Sequence, residues 1–205
     1  MKNRIMVLYY SMYGNTYRMA QSIIEGIEKE GGDALLRTVP ELLPPEIVES
    51  DDNIRKAKEL QKNVAVAKIE ELEDMDGIIV GSPTRFGNMC SQLRNFFDST
   101  GSLWIKGALI GKPAGFFCCT ATMHGGQETT LLSMMLTLIH HGAIIVGVPY
   151  SVAELTETER GGTPYGPTAV VGPDASKAPT RMDLKIAAEL GKRVTIISRK
   201  LKTGK

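Results

Sequence analysis

Cysteine is scarce in this chain of 205 residues: Cys90, Cys118 and Cys119 are all there are, two of them adjacent and none in a C-x-x-C pair. An odd number without paired spacing excludes a disulfide framework and suits a reducing, cytoplasmic setting. Long apolar runs are missing as well. The run from Ile5 to Tyr10 is too short for a secretory leader, and no stretch approaches the roughly 18 apolar residues of a membrane span, so a soluble protein without a membrane partner is expected. Neither sign of charge dominates. With 24 Lys and Arg against 23 Asp and Glu the net charge is +1, which gives no electrostatic reason to expect nucleic acid as a partner. A Gly-Lys-Ser/Thr phosphate loop and a G-x-G-x-x-G fingerprint are both absent. The three histidines, His124, His140 and His141, fall in no zinc spacing, so no metal is expected.

What is present is a set of short, continuous apolar runs: Ile5 to Tyr10, Gly77 to Gly81, Ala114 to Cys119 and Ala143 to Gly147. Unbroken hydrophobicity is what a strand buried on both faces needs, the mark of a parallel sheet. Ala34 to Val39 alternates more and carries Arg37, which suits an edge strand. Between them, Asn15 to Glu30, Met89 to Asp98, Glu128 to His141 and Met182 to Lys202 repeat apolar residues at helical spacing. The third of these helices is apolar nearly all round, so more than the sheet should cover it. The alternation predicts a single doubly wound α/β domain spanning 1–205, a five-stranded parallel sheet in the order 2-1-3-4-5, with its ligand crevice beyond the strands' carboxyl ends. Two segments exceed that minimum and read as insertions: about 40–76, with a charged helix near Asn53 to Gln61, and about 149–180, rich in Gly, Pro and Thr.

Three strand-to-helix loops carry the candidate chemistry. The first, Ser11-Met12-Tyr13-Gly14-Asn15-Thr16, places hydroxyls and a glycine at a helix N-terminus, where unpaired N–H groups attract an anion. A plain helix cap by Asn15 or Thr16 is the alternative. In the second, Pro83 stiffens the exit from the strand, Thr84, Arg85 and Phe86 offer donors and a face for a planar ring, and Gly87 permits a sharp turn. Taken alone, this loop reads as an ordinary strand-to-helix turn with Phe86 a satellite of the core. The third, Thr120-Ala121-Thr122-Met123-His124-Gly125, repeats the hydroxyl-and-glycine theme before an apolar helix. Convergence of all three at one rim of the sheet is stronger than any loop alone. His140 and His141 suit a helix C-terminus before Gly142. Trp104 reads either as a core cap or as a platform for an aromatic ligand, and Cys118 and Cys119 as buried thiols without catalytic duty.

The Ser11 to Thr16 string and Pro83-Thr84-Arg85-Phe86-Gly87-Asn88, together with His124-Gly125-Gly126-Gln127-Glu128, His140-His141-Gly142 and Gly161-Gly162-Thr163-Pro164-Tyr165-Gly166, resemble the WrbA family of NAD(P)H:quinone oxidoreductases over nearly the whole chain, although the third loop differs from some relatives. The resemblance implies a flavodoxin-like fold, FMN as cofactor, a homotetramer, and two-electron, ping-pong reduction of quinones to hydroquinones by NADH or NADPH. Ser11 to Thr16 would then hold the phosphate and ribityl chain. Pro83 to Gly87 and Thr120 to Gly125 would line the flavin, with His140 approaching from the fourth helix. Tyr13 would contact the nicotinamide nucleotide and Trp104 would wall the quinone pocket. A flavodoxin-like electron carrier and a regulatory FMN-binding protein are the rival readings. Near-neutral charge and the two insertions favour the enzyme.

Overall fold

The computed structural model describes residues 2–203. In chain order, β1 (Arg4–Tyr9), α1 (Asn15–Lys29) and β2 (Asp33–Thr38) lead to α2 (Pro45–Ser50), α3 (Asp52–Leu60) and a 3-10 turn at Ile69–Leu72. There follow β3 (Gly77–Pro83), α4 (Ser91–Asp98), α5 (Gly101–Ile105), β4 (Pro113–Thr120) and α6 (Gln127–His140). The chain closes with β5 (Ile144–Ile145), α7 (Glu154–Glu157), β6 (Thr168–Val170) and α8 (Arg181–Thr203). All strand pairs are parallel and the order is β2-β1-β3-β4-β5, as the sequence predicts.

The sheet divides the core in two. Met6, Leu8, Ile78, Val80 and Phe116 pack toward α4 and α6, while Ile5, Val7, Ile79 and Phe117 pack toward α1 and α8. Burying each such side chain contributes about 1.5–3 kcal/mol, which is why the continuous apolar runs occupy the middle of the sheet and half-buried β2 its edge. On the α1–α8 face the helices touch backbone to backbone. A Cβ on Gly26 would collide with the Ala188 carbonyl, and one on Gly191 with that of Ile23.

Three expectations need correcting. The fifth strand does not run from Ala143 to Gly147: only Ile144–Ile145 form a ladder, continued by one bond from Val146 N–H to the Ala114 carbonyl (2.8 Å). The rest of that edge is β6, beside Cys118 to Thr120, inside the segment read as an insertion. Its apolar stretch is flanked by Pro167 and by Gly172-Pro173, which hid a strand of three residues. Second, α4 begins at Ser91 rather than Met89, because Cys90 is extended and its N–H goes to Ser82 Oγ (2.9 Å). Third, the Pro-rich stretch after Pro40 holds a helix, α2, with Pro45 in its first turn, where a missing N–H costs nothing.

Candidate functional site

The first loop leaves β1 through Tyr10, whose N–H still bonds to the Gly81 carbonyl (3.0 Å). Gly14 is the residue before α1 and has φ 84°, a left-handed conformation that a side chain would strain. No side chain caps α1, so the alternative of Asn15 or Thr16 as a cap is not what the chain adopts. Asn15 lies inside the first turn, and its Nδ2 donates to the Ala175 carbonyl (2.8 Å). Ser11, 1% exposed, has a hydroxyl with no hydrogen-bond partner. Leaving such a group unpaired costs about 1–3 kcal/mol, and an acceptor oxygen from a ligand removes that cost. Helix N–H groups without a side-chain cap beside it are the partners an anion requires.

The second loop continues the β3–β4 ladder by one bond, Thr84 N–H to the Cys119 carbonyl (2.9 Å), then turns through reciprocal bonds between Arg85 and Asn88. At the turn Phe86 has φ 50° and its ring is fully exposed, so it is no satellite of the core. Arg85 lies across the first loop, with Nη2 3.2 Å from Met12 Sδ. The third loop is braced by Thr120 Oγ1 donating to the Thr122 carbonyl (2.9 Å) and by Gln127 Nε2 donating to that of Met123 (2.7 Å). A Cβ on Gly126 would lie 2.7 Å from Gly87 Cα, so the second and third loops meet backbone to backbone. Thr130 Oγ1 joins them again through Thr84 Oγ1 (3.1 Å).

One cleft, about 510 Å³ and open to solvent, gathers Ser11, Met12, Tyr13, Asn15 and Thr16 from the first loop, Pro83, Thr84 and Arg85 from the second, and Thr120 and Ala121 from the third. Gly14, Phe86, Gly87, Thr122, Met123, His124 and Gly125 do not line it; Thr122, Met123 and His124 are exposed. Cys119 contributes to the wall, and burial pushes its thiol up to about 12, so it stays protonated. His140 and Trp104 lie elsewhere, in a groove between α4, α5 and α6 shared with Asn88, Arg94 and Leu136. Trp104 is more than half exposed, which removes the core-cap alternative, and its Nε1 donates to the His140 carbonyl (2.9 Å). His141 is buried, with Nε2 3.0 Å from Thr100 Oγ1 and Nδ1 unpartnered. Burial, then neighbouring His140, hold its pKa below the ordinary value, against the expectation of a cation suiting the helix end.

Two contributions escaped the sequence reading. A fourth loop, Val171 to Ala175, closes the cleft, held by Val171 N–H to the Thr120 carbonyl (2.8 Å). The Gly172-Pro173-Asp174 turn signal was there to be read, but only β6 aims it at the site. Behind the first loop, Lys58 and Gln61 from the first insertion donate to the Ser11 carbonyl (3.3 and 3.4 Å). Lys58 also pairs with Glu41 (2.5 Å), which accepts from Tyr10 Oη (3.0 Å). No local pattern announces a contact across 47 residues.

A family model described as NADPH-dependent FMN reductase matches residues 3–157. Among curated relatives, the "NAD(P)H dehydrogenase (quinone)" of Solidesulfovibrio magneticus is 45% identical over 201 residues, 97% of this chain and 98% of the relative. That of Geobacter sulfurreducens is 44% identical over 200 residues, 96% of this chain and 98% of the relative. Among solved structures, a flavodoxin, WrbA-like protein from Agrobacterium tumefaciens superposes with TM-score 0.67 at 25% identity, covering 97% of this chain and 99% of that one. A flavodoxin from the Archaea, at 21% identity and TM-score 0.60 over 97% of this chain and 99% of that one, shares the fold. A flavodoxin-like sheet with its cleft at the strands' carboxyl ends, a family match across most of the chain and near-full-length relatives agree: the chain belongs to the NADPH-dependent FMN reductase family.

Proposed function

We propose that this chain binds FMN in the Ser11–Thr16 cleft and catalyses two-electron reduction of quinones to hydroquinones by NADH or NADPH. One observation carries the reading: the uncapped start of α1 and the buried, unpartnered Ser11 hydroxyl share a cleft with Thr84, Arg85 and Thr120. A phosphate fits the first pair and the polar edge of a planar ring fits the second. The name NAD(P)H dehydrogenase (quinone), borne by relatives 44–45% identical, supports it.

When bound, FMN supplies the ring that takes a hydride from the nicotinamide and passes two electrons to the quinone, the two substrates using one place in turn. This chain's residues hold and orient. Ser11, Thr16 and the N–H groups opening α1 grip the phosphate without a cation, and Asn15, tied to Ala175, fixes their geometry. The Arg85 side chain, with N–H groups of the third loop, would stabilise negative charge at the ring edge. Tyr13 stands at the mouth, where the nicotinamide nucleotide arrives.

Within one subunit His140 and Trp104 do not reach this cleft. We therefore assign them to a homotetramer in which their groove meets the cleft of another copy, His140 serving proton transfer and Trp104 walling the quinone. Leu132, Leu136, Ile139, Ile105 and Ile110, all exposed on and around α5 and α6, support such an assembly, since a lone α6 buries Leu131, Met134, Met135 and Leu138 but leaves Leu132, Leu136 and Ile139 facing water. The three free, buried cysteines suit a cytoplasmic location, and 1–205 act as one domain. Among the described residues no helix is long and apolar enough to cross a membrane.

The test is direct. Purified protein shows flavin absorption and oxidises NADH or NADPH in the presence of benzoquinone, with parallel double-reciprocal lines. A flavin-loaded protein that oxidises neither nucleotide is an electron carrier, and a colourless one that takes up no FMN is a regulatory or scaffold protein.

A further inference from the structure

A second cleft, about 790 Å³ and open to solvent, lies on the other side of the first loop, between the start of α1, α3 and the fourth loop. It shares Tyr13 and Ala175 with the proposed flavin cleft, so the two adjoin at these residues. Its walls are Arg18, Asn53, Lys56, Leu60 and Asp174.

The charges here are unusual for this surface. Every other cation on or just after α3 is paired: Arg55 with Asp52 (2.6 Å), Lys58 with Glu41 (2.5 Å) and Lys62 with Glu59. Among the described residues, Lys56 and Arg18 have neither a carboxylate nor a side-chain hydrogen bond, and both are exposed. The one acid in the cleft, Asp174, accepts the Ser176 N–H (3.1 Å). Beside the two free cations lie apolar faces that water covers poorly: the Tyr13 ring, 37% exposed, and Leu60, 54% exposed. A planar base packs against such faces, and two unpaired cations attract a phosphomonoester carrying nearly two negative charges.

We infer that this cleft receives the adenosine end of the nicotinamide nucleotide, and that Arg18 and Lys56 grip the 2′-phosphate that distinguishes NADPH from NADH. The inference rests on the function proposed above for the nicotinamide end, while the cleft's own chemistry stands apart from it. The purine lies against Tyr13 and Leu60. Asn53 and Asp174 take ribose hydroxyls. NADH, presenting a hydroxyl where NADPH has the phosphate, leaves the two cations unused, so this chain is an NADPH-preferring enzyme. The same phosphomonoester chemistry has a second source, the phosphate of FMN itself, and the experiment separates the two.

Adenosine 2′,5′-bisphosphate and ADP are titrated calorimetrically into the flavin-loaded protein, and kcat/KM is measured with NADPH and NADH and benzoquinone. The wild type, the Arg18→Gln/Lys56→Gln double variant and Arg55→Gln, on the same helix but outside the cleft, are compared. The bisphosphate binds about tenfold or more tighter than ADP, and the double variant lowers the NADPH-to-NADH ratio of kcat/KM by about 10–100-fold through KM, each tenfold being 1.4 kcal/mol. Arg55→Gln leaves the ratio in place. Equal binding of the two adenosine nucleotides, or an unchanged ratio in the double variant, overturns the inference. So does a double variant whose FMN affinity, read by flavin fluorescence, falls instead, because the cations then serve the flavin phosphate. If no nucleotide is oxidised by any variant but the bisphosphate still binds and the double variant abolishes that binding, the quinone-reductase reading fails and the phosphate site stands.

Discussion

The Ser11–Thr16 cleft and the Trp104–His140 groove differ in what each lacks. The cleft is walled by buried polar residues, with a hydroxyl and helix N–H groups left over for a ligand. The groove has its polar groups mostly satisfied, Arg94 by Asp98 (2.5 Å) and Thr137 (3.1 Å) and Trp104 by the His140 carbonyl, and it leaves apolar side chains uncovered. A site lacking acceptors is finished by a small anion, whereas one with surplus apolar surface is finished by another protein surface. On the proposed reading the first is complete in one chain and the second is completed by a copy.

The sharpest way to break this contrast is Leu136→Asp at the groove rim, where the side chain is 61% exposed. A carboxylate buried in an assembled interface costs several kcal/mol, so ultracentrifugation shows dissociation into smaller species and quinone reduction falls with it. FMN affinity stays within about twofold, because the charge is repelled from an interface and not from the cleft. Retained assembly would place the subunit contact elsewhere. Next in size, Gly14→Val forces a branched residue into a left-handed conformation at a cost of about 1–3 kcal/mol and weakens FMN binding by about 10–100-fold in a fluorescence titration, without changing the sedimentation of the apoprotein.

Ser11→Ala gives a smaller and two-signed result. It weakens FMN by about fivefold to tenfold, one net hydrogen bond, yet the apoprotein's melting temperature does not fall, since the variant removes a hydroxyl that had no partner. A drop in apoprotein stability equal to the loss in FMN affinity would show that the hydroxyl is satisfied within the protein.

The smallest effects are in pH dependence, and they separate the regions by window. His141 in the groove has a folded pKa below its ordinary 6.5, so the unfolded chain binds the proton first as pH falls. Stability from its burial is whole above 6.5 and is lost between there and the lower folded value. Behind the cleft, burial acts to raise the Glu41 pKa, but hydrogen bonds from Lys58, the Leu43 N–H and Tyr10 outweigh it and leave the group below its ordinary 4.5. Its contribution is whole above 4.5 and is lost as pH falls through the depressed folded value. Thermal melts across pH therefore lose their upper acid step in His141→Gln and their lower one in Glu41→Gln. A variant that flattens the other's step overturns the assignment.

The central strands were legible because each is a short apolar run buried on both faces, and the helices because their period is local. The edge beyond β4 was legible only in part: the apolar run from Ala143 to Gly147 announced β5 but overstated its length, and β6, three residues between Pro167 and Gly172-Pro173, carries no strand pattern of its own. In the site, the first loop was legible as hydroxyls and a glycine before an amphipathic helix, but the competing cap was not eliminated until Asn15 was seen reaching Ala175, 160 residues away. His140 and Trp104 show the opposite failure. The motif names them, and only the coordinates put them on a different wall from Ser11.

By itself, the amino-acid order settled the layer architecture, the strand order and the rim where the strand-to-helix loops converge, because burial on both faces and helical periodicity are properties of neighbours in the chain. Only the tertiary structure decided which loops share a wall, which hydroxyl is left without a partner and which cations stand unpaired. Those depend on distances between segments far apart in sequence, and no local pattern encodes them.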